Sequence, residues 1–387
     1  MKNERAKLGW LALALTPEMG ARRVARAVAG LGDATRVFEA SLTELESTGM
    51  PPRAAQFVAD GRALKAAEEE MGRILAAGAS LLTQEDAAYP ERLKEIFDPP
   101  AVLWVRGDAA LLARPGIAVV GTRHPTPYGS GMAEMLSRDL AARGMVIFSG
   151  MARGVDTAAH KGALDASGKT VAVWGTGIDV VYPKENKRLA ERIVEQGGTI
   201  LSEYPMRTFP APQNFPIRNR ILSGMSVGVL VVEAGEYSGT RITARCAMEQ
   251  NRDVYAVPGN VTNKNAWGPN TLIKQGAKLT ATWEDVWEEL PSEIRMQLEE
   301  MMGVAEKPES KQGGTASLFA ETEDHPLPQQ ERIVLGRLKR DEAMQLDELI
   351  EGLETELGSA EIFAALFELE LRGRVKQMPG KNYVRCF

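Results

Sequence analysis

Ile117-Ala-Val-Val-Gly-Thr-Arg123, Val146-Ile-Phe-Ser-Gly-Met-Ala-Arg-Gly154, Thr170-Val-Ala-Val-Trp-Gly-Thr-Gly177 and Val229-Leu-Val-Val232 with its sequel Ser238-Gly-Thr-Arg241 repeat one pattern. In each, a short apolar run ends in a turn built of glycine, hydroxyl and, most often, arginine residues. A run of four or five apolar residues with no polar alternation reads as a parallel strand buried on both faces. Each is followed by a stretch of helical length, which fits right-handed βαβ crossovers. The tract from Gly121 to Ala277 is therefore expected to form a Rossmann-like open α/β sheet. Such sheets bind ligands beyond the carboxyl ends of their strands. Glycine lets backbone N–H groups approach an anion, and arginine adds charge and paired donors, so the strand ends read as a surface for phosphate.

Within this tract the spacing predicts helices over 128–143, 156–166, 187–196, 218–225, 243–251 and 283–290. Further strands are expected at 199–201 and 254–257. Upstream, Tyr89-Pro90 and Asp98-Pro99-Pro100 fix turns in a connector, and Val102-Leu-Trp-Val105 reads as one more strand of the sheet. Residues 1–80 read as a helical unit. Gly20 opens a helix at 21–30 and Gly49-Met-Pro-Pro52 opens another at 53–64. Two such turn-helix units are similar to paired helix-hairpin-helix elements, which hold a DNA backbone at the helix N-terminus; a plain helical bundle has the same pattern.

Residues 301–328 lack periodicity and are rich in Gly, Ser, Thr, Glu and Pro, the composition of a linker. Leu318-Phe319 interrupts it as an apolar pair. Residues 329–387 pattern as three helices and a hairpin turning at Pro379-Gly380, a winged-helix layout. That segment holds nine Lys or Arg against eleven Asp or Glu, a net of −2. Its third helix carries Glu361, Glu368 and Glu370, which duplex phosphates would repel. A protein contact is therefore the expected role of this unit.

The composition narrows the classes. The 387 residues are 44% hydrophobic and 25% charged with a formal charge of −6. That is ordinary for a chain of two to three globular domains, and any nucleic-acid role must come from a local basic patch. Two distant cysteines, Cys246 and Cys386, point to a reducing compartment, and three histidines without a Cys/His cluster point away from structural zinc. The apolar stretch at 8–15 is too short to span a membrane, and no targeting signal is evident, so the cytoplasm is the expected location.

The ordered motifs Tyr89-Pro90, Asp98-Pro-Pro100, Gly121-Thr-Arg123, Ser149-Gly-Met-Ala-Arg-Gly-Val-Asp156, Ala159-His160, Tyr182-Pro-Lys-Glu-Asn186, Leu201-Ser-Glu-Tyr204, Phe215-Pro-Ile-Arg-Asn-Arg220, Ser238-Gly-Thr240 and Val257-Pro-Gly259 resemble the DprA (Smf) family. The resemblance spans about 89–277. It implies a non-enzymatic protein that binds incoming single-stranded DNA in natural transformation, shields it and helps load the RecA recombinase. It also implies a helical SAM-like or helix-hairpin-helix domain before the Rossmann-like one, a winged helix after it, and a homodimer formed through the central domain. Neither cofactor nor metal is implied. The resemblance assigns phosphate contact to Arg123, a second basic contact to Lys184, and a basic and stacking element to Phe215, Arg218 and Arg220. The residue pattern adds Gly121, Thr122, Ser149, Gly150, Arg153, Gly154, Asn219, Ser238, Gly239, Thr240 and Arg241 at the same strand ends. Tyr182 and Tyr237 join Phe215 as candidate faces for bases. Trp174 and Arg241 depart from the family pattern, which favours aliphatic residues there.

The same architecture resembles nucleotide-hydrolysing proteins of the lysine-decarboxylase-like (LOG) type. Those follow a Gly-Gly-x-Gly-Thr turn with catalytic acids, and here Arg241-Ile242 stand in that place. Asp156 and His160, four apart on a helix, are the one candidate acid/base pair; a helix cap and a satisfied core histidine would leave the same pattern. Gly175-Thr-Gly177 lacks the third glycine of a dinucleotide fingerprint.

Overall fold

A computed structural model describes residues 2–302, 327–340 and 342–386. Most of the expected linker, with Leu318-Phe319, lies outside them. Nine strands form one sheet: β1 (Ser80–Thr83), β2 (Val102–Gly107), β3 (Gly116–Val120), β4 (Val146–Ser149), β5 (Thr170–Trp174), β6 (Thr199–Ser202), β7 (Gly228–Val231), β8 (Asp253–Ala256) and β9 (Lys278–Leu279). Their order is β1-β2-β6-β5-β4-β3-β7-β8-β9. From β6 to β9 every pairing is parallel, whereas β2 joins β6, and β1 joins β2, antiparallel. The chain winds outward from β3 through β4, β5 and β6, then returns to lay β7 on the other side of β3. The β3–β7 boundary is thus the topological switch point, where the strand ends part and leave a crevice.

Alternation along the strands divides the core. Ala118, Val120, Phe148, Val171, Val173, Val229 and Val231 face a layer containing Leu93, Leu111, Ile221, Leu222 and Ala244. Ile117, Val119, Ile147 and Leu230 face the opposite layer, with Met132, Leu136, Leu140 and Val155. Towards β2 the second face is covered by the N-terminal helices, among them Lys2–Ala14 and Arg62–Ala76. Leu11, Leu13 and Ile74 share one apolar cluster there with Trp104, Ala172, Trp174 and Ile200. Trp174, the departure from the aliphatic pattern, is buried where this face meets the N-terminal helices, 2% exposed. The helix expected over 53–64 is divided into Pro52–Ala59 and Arg62–Ala76. Gly61 between them has φ +73°, a conformation that glycine adopts without strain.

The C-terminal unit comprises helices Gln329–Arg337, Leu346–Leu353 and Ser359–Leu371 with β10 (Met344–Gln345), β11 (Val375–Met378) and β12 (Asn382–Arg385) in the order β10-β12-β11. This is the winged-helix arrangement. The outer face of Ser359–Leu371 presents Phe363, Phe367 and Leu371 beside Glu368.

Candidate nucleic-acid interface

A cleft of about 810 Å³ opens beyond β3 and β7, lined among others by Thr122, Arg123, Phe215, Arg218, Tyr237 and Asn265. Its position follows from the strand order. Gly121 leaves β3 where a Cβ would meet Val155 Cγ2 at 2.5 Å and the Glu233 carbonyl at 2.9 Å, so only glycine lets helix and strand ends close here. Thr122 N–H donates to that carbonyl at 2.6 Å, and its own carbonyl accepts from Val155 N–H at 3.2 Å.

The floor of the cleft is a charged network between two layers. Arg218 comes from the helix Asn214–Met225, is 4% exposed, and donates through Nη1 to the Val173 carbonyl at the end of β5. Its guanidinium lies against Gly150, where any Cβ would clash with it. From the opposite layer comes Asp156, whose Oδ2 accepts from Gly150 N–H at 3.1 Å and Ala152 N–H at 3.2 Å. Burial pushes the Asp156 carboxyl up, and Arg218 with these two donors pulls it back. Burial also lowers the Arg218 guanidinium, to about 10, which leaves it charged at neutral pH.

His160 is fully buried, and its Nδ1 lies 2.7 Å from Thr170 Oγ1. The Thr170 hydroxyl gives its one proton to the Ile147 carbonyl at 2.6 Å. Nδ1 must therefore be the protonated nitrogen, and Nε2 is a bare, unpartnered lone pair. Burial, reinforced by Arg218, lowers this imidazole to about 3. Asp156 and His160 share no hydrogen bond with each other: the carboxylate caps the 150–152 turn, and the histidine is a neutral core residue.

One pH effect follows. Between about 6.5 and 3 the unfolded chain protonates His160 and the folded chain does not, so stability falls with pH by about 1.4 kcal/mol per unit there. Asp156, with its carboxyl raised, acts in the opposite sense above its ordinary range. Denaturant titrations at pH 7 and pH 5 are expected to show wild type losing about 2 kcal/mol more than His160→Gln. Equal losses would mean that the imidazole is charged in the fold.

At the mouth of the cleft Arg123 lies with its guanidinium carbon 5.8 Å from the Phe215 ring centroid, and Phe215 packs 5.5 Å from Tyr182 at 36°. Lys184 is exposed on the next loop. Asn186 ties that loop to the 149–154 turn by donating to the Met151 carbonyl and to Thr157 Oγ1, each at 2.9 Å. Across the cleft stand the 235–240 loop, with Tyr237 92% exposed, and the N-terminus of the helix Thr240–Glu249.

A family model described as DNA recombination-mediator protein A matches residues 80–291, and one for the DprA winged helix domain matches 320–381. The chain belongs to the DNA recombination-mediator protein A (DprA/Smf) family. Its relatives include Protein Smf of Escherichia coli, 37% identical over 342 residues that cover 88% of this chain and 86% of that one. DNA processing protein DprA of Bacillus subtilis is 44% identical over 57% of this chain and 76% of its own. The X-ray structure of Streptococcus pneumoniae DprA is similar with a TM-score of 0.64 at 34% identity, covering 75% of this chain and 99% of that one.

Within this DprA/Smf chain the expected site residues separate. Gly121, Thr122, Arg123, Phe215, Arg218, Asn219, Ser238, Gly239 and Thr240 line the cleft together. Ser149 is fully buried, its hydroxyl donating to the Val119 carbonyl at 2.7 Å; it ties strands. Gly150 and Gly154 shape the loop above the floor. Arg153 is exposed and paired with Glu185. Arg220 corrects an expectation: it points away from the cleft and is held by Asp98 at 2.9 Å and Glu203 at 2.6 Å. Arg218 is likewise a brace and not a free cation. The exposed cations of the expected set are Arg123, Lys184, Arg241 and, paired with Glu185, Arg153; of these Arg123 lines the cleft itself.

Sequence reasoning passed over Glu233 and Asn265. Glu233, 2% exposed, accepts from Thr126 N–H at 2.8 Å and Thr126 Oγ1 at 2.6 Å, fixing the N-cap of the helix Pro127–Ala142. Asn265 lines the cleft and donates to the His124 carbonyl at 3.0 Å. A carboxylate directly after an apolar strand, as in Val229–Glu233, is the one signal the sequence offers for either. Among the described residues no group could hold a metal, and no helix is long and apolar enough to cross a membrane.

Proposed function

We propose that this protein binds single-stranded DNA in the switch-point cleft, protects it, and promotes its transfer to RecA during natural transformation or homologous recombination. Arg123 seated over Phe215 beside Tyr182 carries this reading. One guanidinium neutralises a phosphate while two ring faces take unstacked bases, the pairing that single strands need and that duplex DNA, with its bases stacked inside, does not use. Family membership and the DNA-processing names of the relatives support the DNA partner.

The action is non-covalent. One oxygen of Asp156 is engaged by two backbone donors, and the basic nitrogen of His160 lies in the core. We assign the protein to the cytoplasm and to a homodimer whose second cleft raises avidity by holding the same strand twice.

Anisotropy titration of a fluorescent oligothymidylate is the test. Wild type is expected to prefer single strand over duplex with a steep salt slope. Arg123→Ala should weaken binding about ten-fold and flatten the slope by about 0.7, because one phosphate is no longer neutralised. Equal, salt-indifferent binding of both forms, or an unaffected variant, would refute the assignment. Shortening of the RecA nucleation lag on pre-coated strands tests the loading step, and sedimentation tests the dimer.

A further inference from the structure

The cleft has a second arginine laid on a ring, on the side of the 235–240 loop. Arg241 places its guanidinium carbon 5.3 Å from the Trp267 centroid. We propose that Trp267 and Arg241, with Tyr237, form a further seat for the same DNA strand, taking bases and a phosphate after they have crossed the cleft from the Arg123–Phe215 seat. This rests on the single-strand reading above and extends it to a path with two fixed ends.

Three observations carry it. First, the pair is positioned and not loose. Ala234 N–H donates to the Asn265 carbonyl and Gly268 N–H to the Ala234 carbonyl, both at 2.8 Å, which locks the start of the helix Trp267–Lys274 to the 235–240 loop. Arg241 is oriented from that loop, its Nη1 donating to the Glu236 carbonyl at 2.9 Å. Its other donors remain for an anion.

Second, the apolar area here is unexplained by the core. Trp267 is 38% exposed and Tyr237 92%, although Trp10, Trp104 and Trp174 are buried. Exposed tryptophan and tyrosine beside an arginine match the composition of stacking platforms. Third, the seat adjoins the cleft directly, because Tyr237, Thr240, Ile242 and Asn265 line it. Both seats then offer the same chemistry, a guanidinium and a ring, beside one glycine-lined cleft. Arg241, a departure from the family's aliphatic pattern, becomes one half of a paired device.

Trp267 provides its own signal. Full-length wild type, Trp267→Ala, Trp267→Phe, Arg241→Ala and Arg123→Ala are titrated with oligothymidylates of about four and about fifteen nucleotides, following tryptophan emission and anisotropy. The long strand should quench emission in wild type, and the quench should vanish in Trp267→Phe. Trp267→Ala and Arg241→Ala should weaken the long strand about ten-fold and the short one less, with phenylalanine recovering part of the loss. Thermal melts confirm that each variant is folded.

If wild type binds and Arg123→Ala weakens it while Trp267→Ala and Arg241→Ala match wild type at both lengths, the pair is only a surface lock. The second seat then fails and the DNA function stands. If wild type binds no single strand at all, the function and the seat fall together.

Discussion

Arg218→Met is expected to unfold the protein at clearly lower denaturant, with a loss of about 3 kcal/mol or more. The methionine fills much of the volume, so the loss is electrostatic. Val173 is deprived of a charge-assisted donor, and the buried Asp156 of the cation that pulls its carboxyl down. Arg218→Lys should recover little, since a compact ammonium on a thinner stem cannot both reach the Val173 carbonyl and fill the space the planar guanidinium occupies against Gly150. Urea denaturation decides it. A change below about 1 kcal/mol would mean that Arg218 is not the brace of the cleft floor. Single-strand binding should fall with stability, because the 149–156 turn and the helix bearing Phe215 lose their common anchor.

The second large effect is expected at Glu70, on the helix Arg62–Ala76. This carboxylate is 1% exposed and accepts from Trp104 Nε1 at 3.0 Å, Met206 N–H at 2.7 Å and Arg73 Nη1 at 3.0 Å. It joins the N-terminal helices to β2 and to the segment after β6. Glu70→Ala leaves an indole and a backbone donor buried without partners, each costing about 1–3 kcal/mol, for a combined loss near ~3 kcal/mol. Glu70→Gln keeps an acceptor oxygen and should restore about half of this. Denaturation together with limited proteolysis of the first 80 residues reads the effect. Unchanged stability in Glu70→Ala would show that the apolar cluster alone holds these helices.

Strands β3, β4, β5 and β7 were legible because a parallel strand buried on both faces writes itself as a continuous apolar run. β1 and the two-residue β9 were not: β1, Ser80-Leu-Leu-Thr83, is an edge strand with a polar residue at each end, and two residues carry no period. The cleft was legible to the extent that its residues end strands, as Gly121-Thr122-Arg123 and Ser238-Gly239-Thr240 do. Arg218 and Arg220 mark the limit. Residues two apart on a helix point to different sides, so both could never have faced one cleft. Phe215, Arg218 and Asn219, at three- and four-residue spacing, share the inward side, and Arg220 turns to Asp98 and Glu203. Glu70, Glu233 and Trp267 owe their roles to partners distant in the chain, which no local spacing records.

The Arg218 brace also decides where the entropy of association is spent. The end of β5, the 149–156 turn and the helix Asn214–Met225 are already fixed to one another before any strand arrives, so the protein has little freedom left to surrender. The ordering cost falls on the polymer, nucleotide by nucleotide. Calorimetry should then return a heat-capacity change that grows with the ring area covered by bases, with no constant offset from protein refolding.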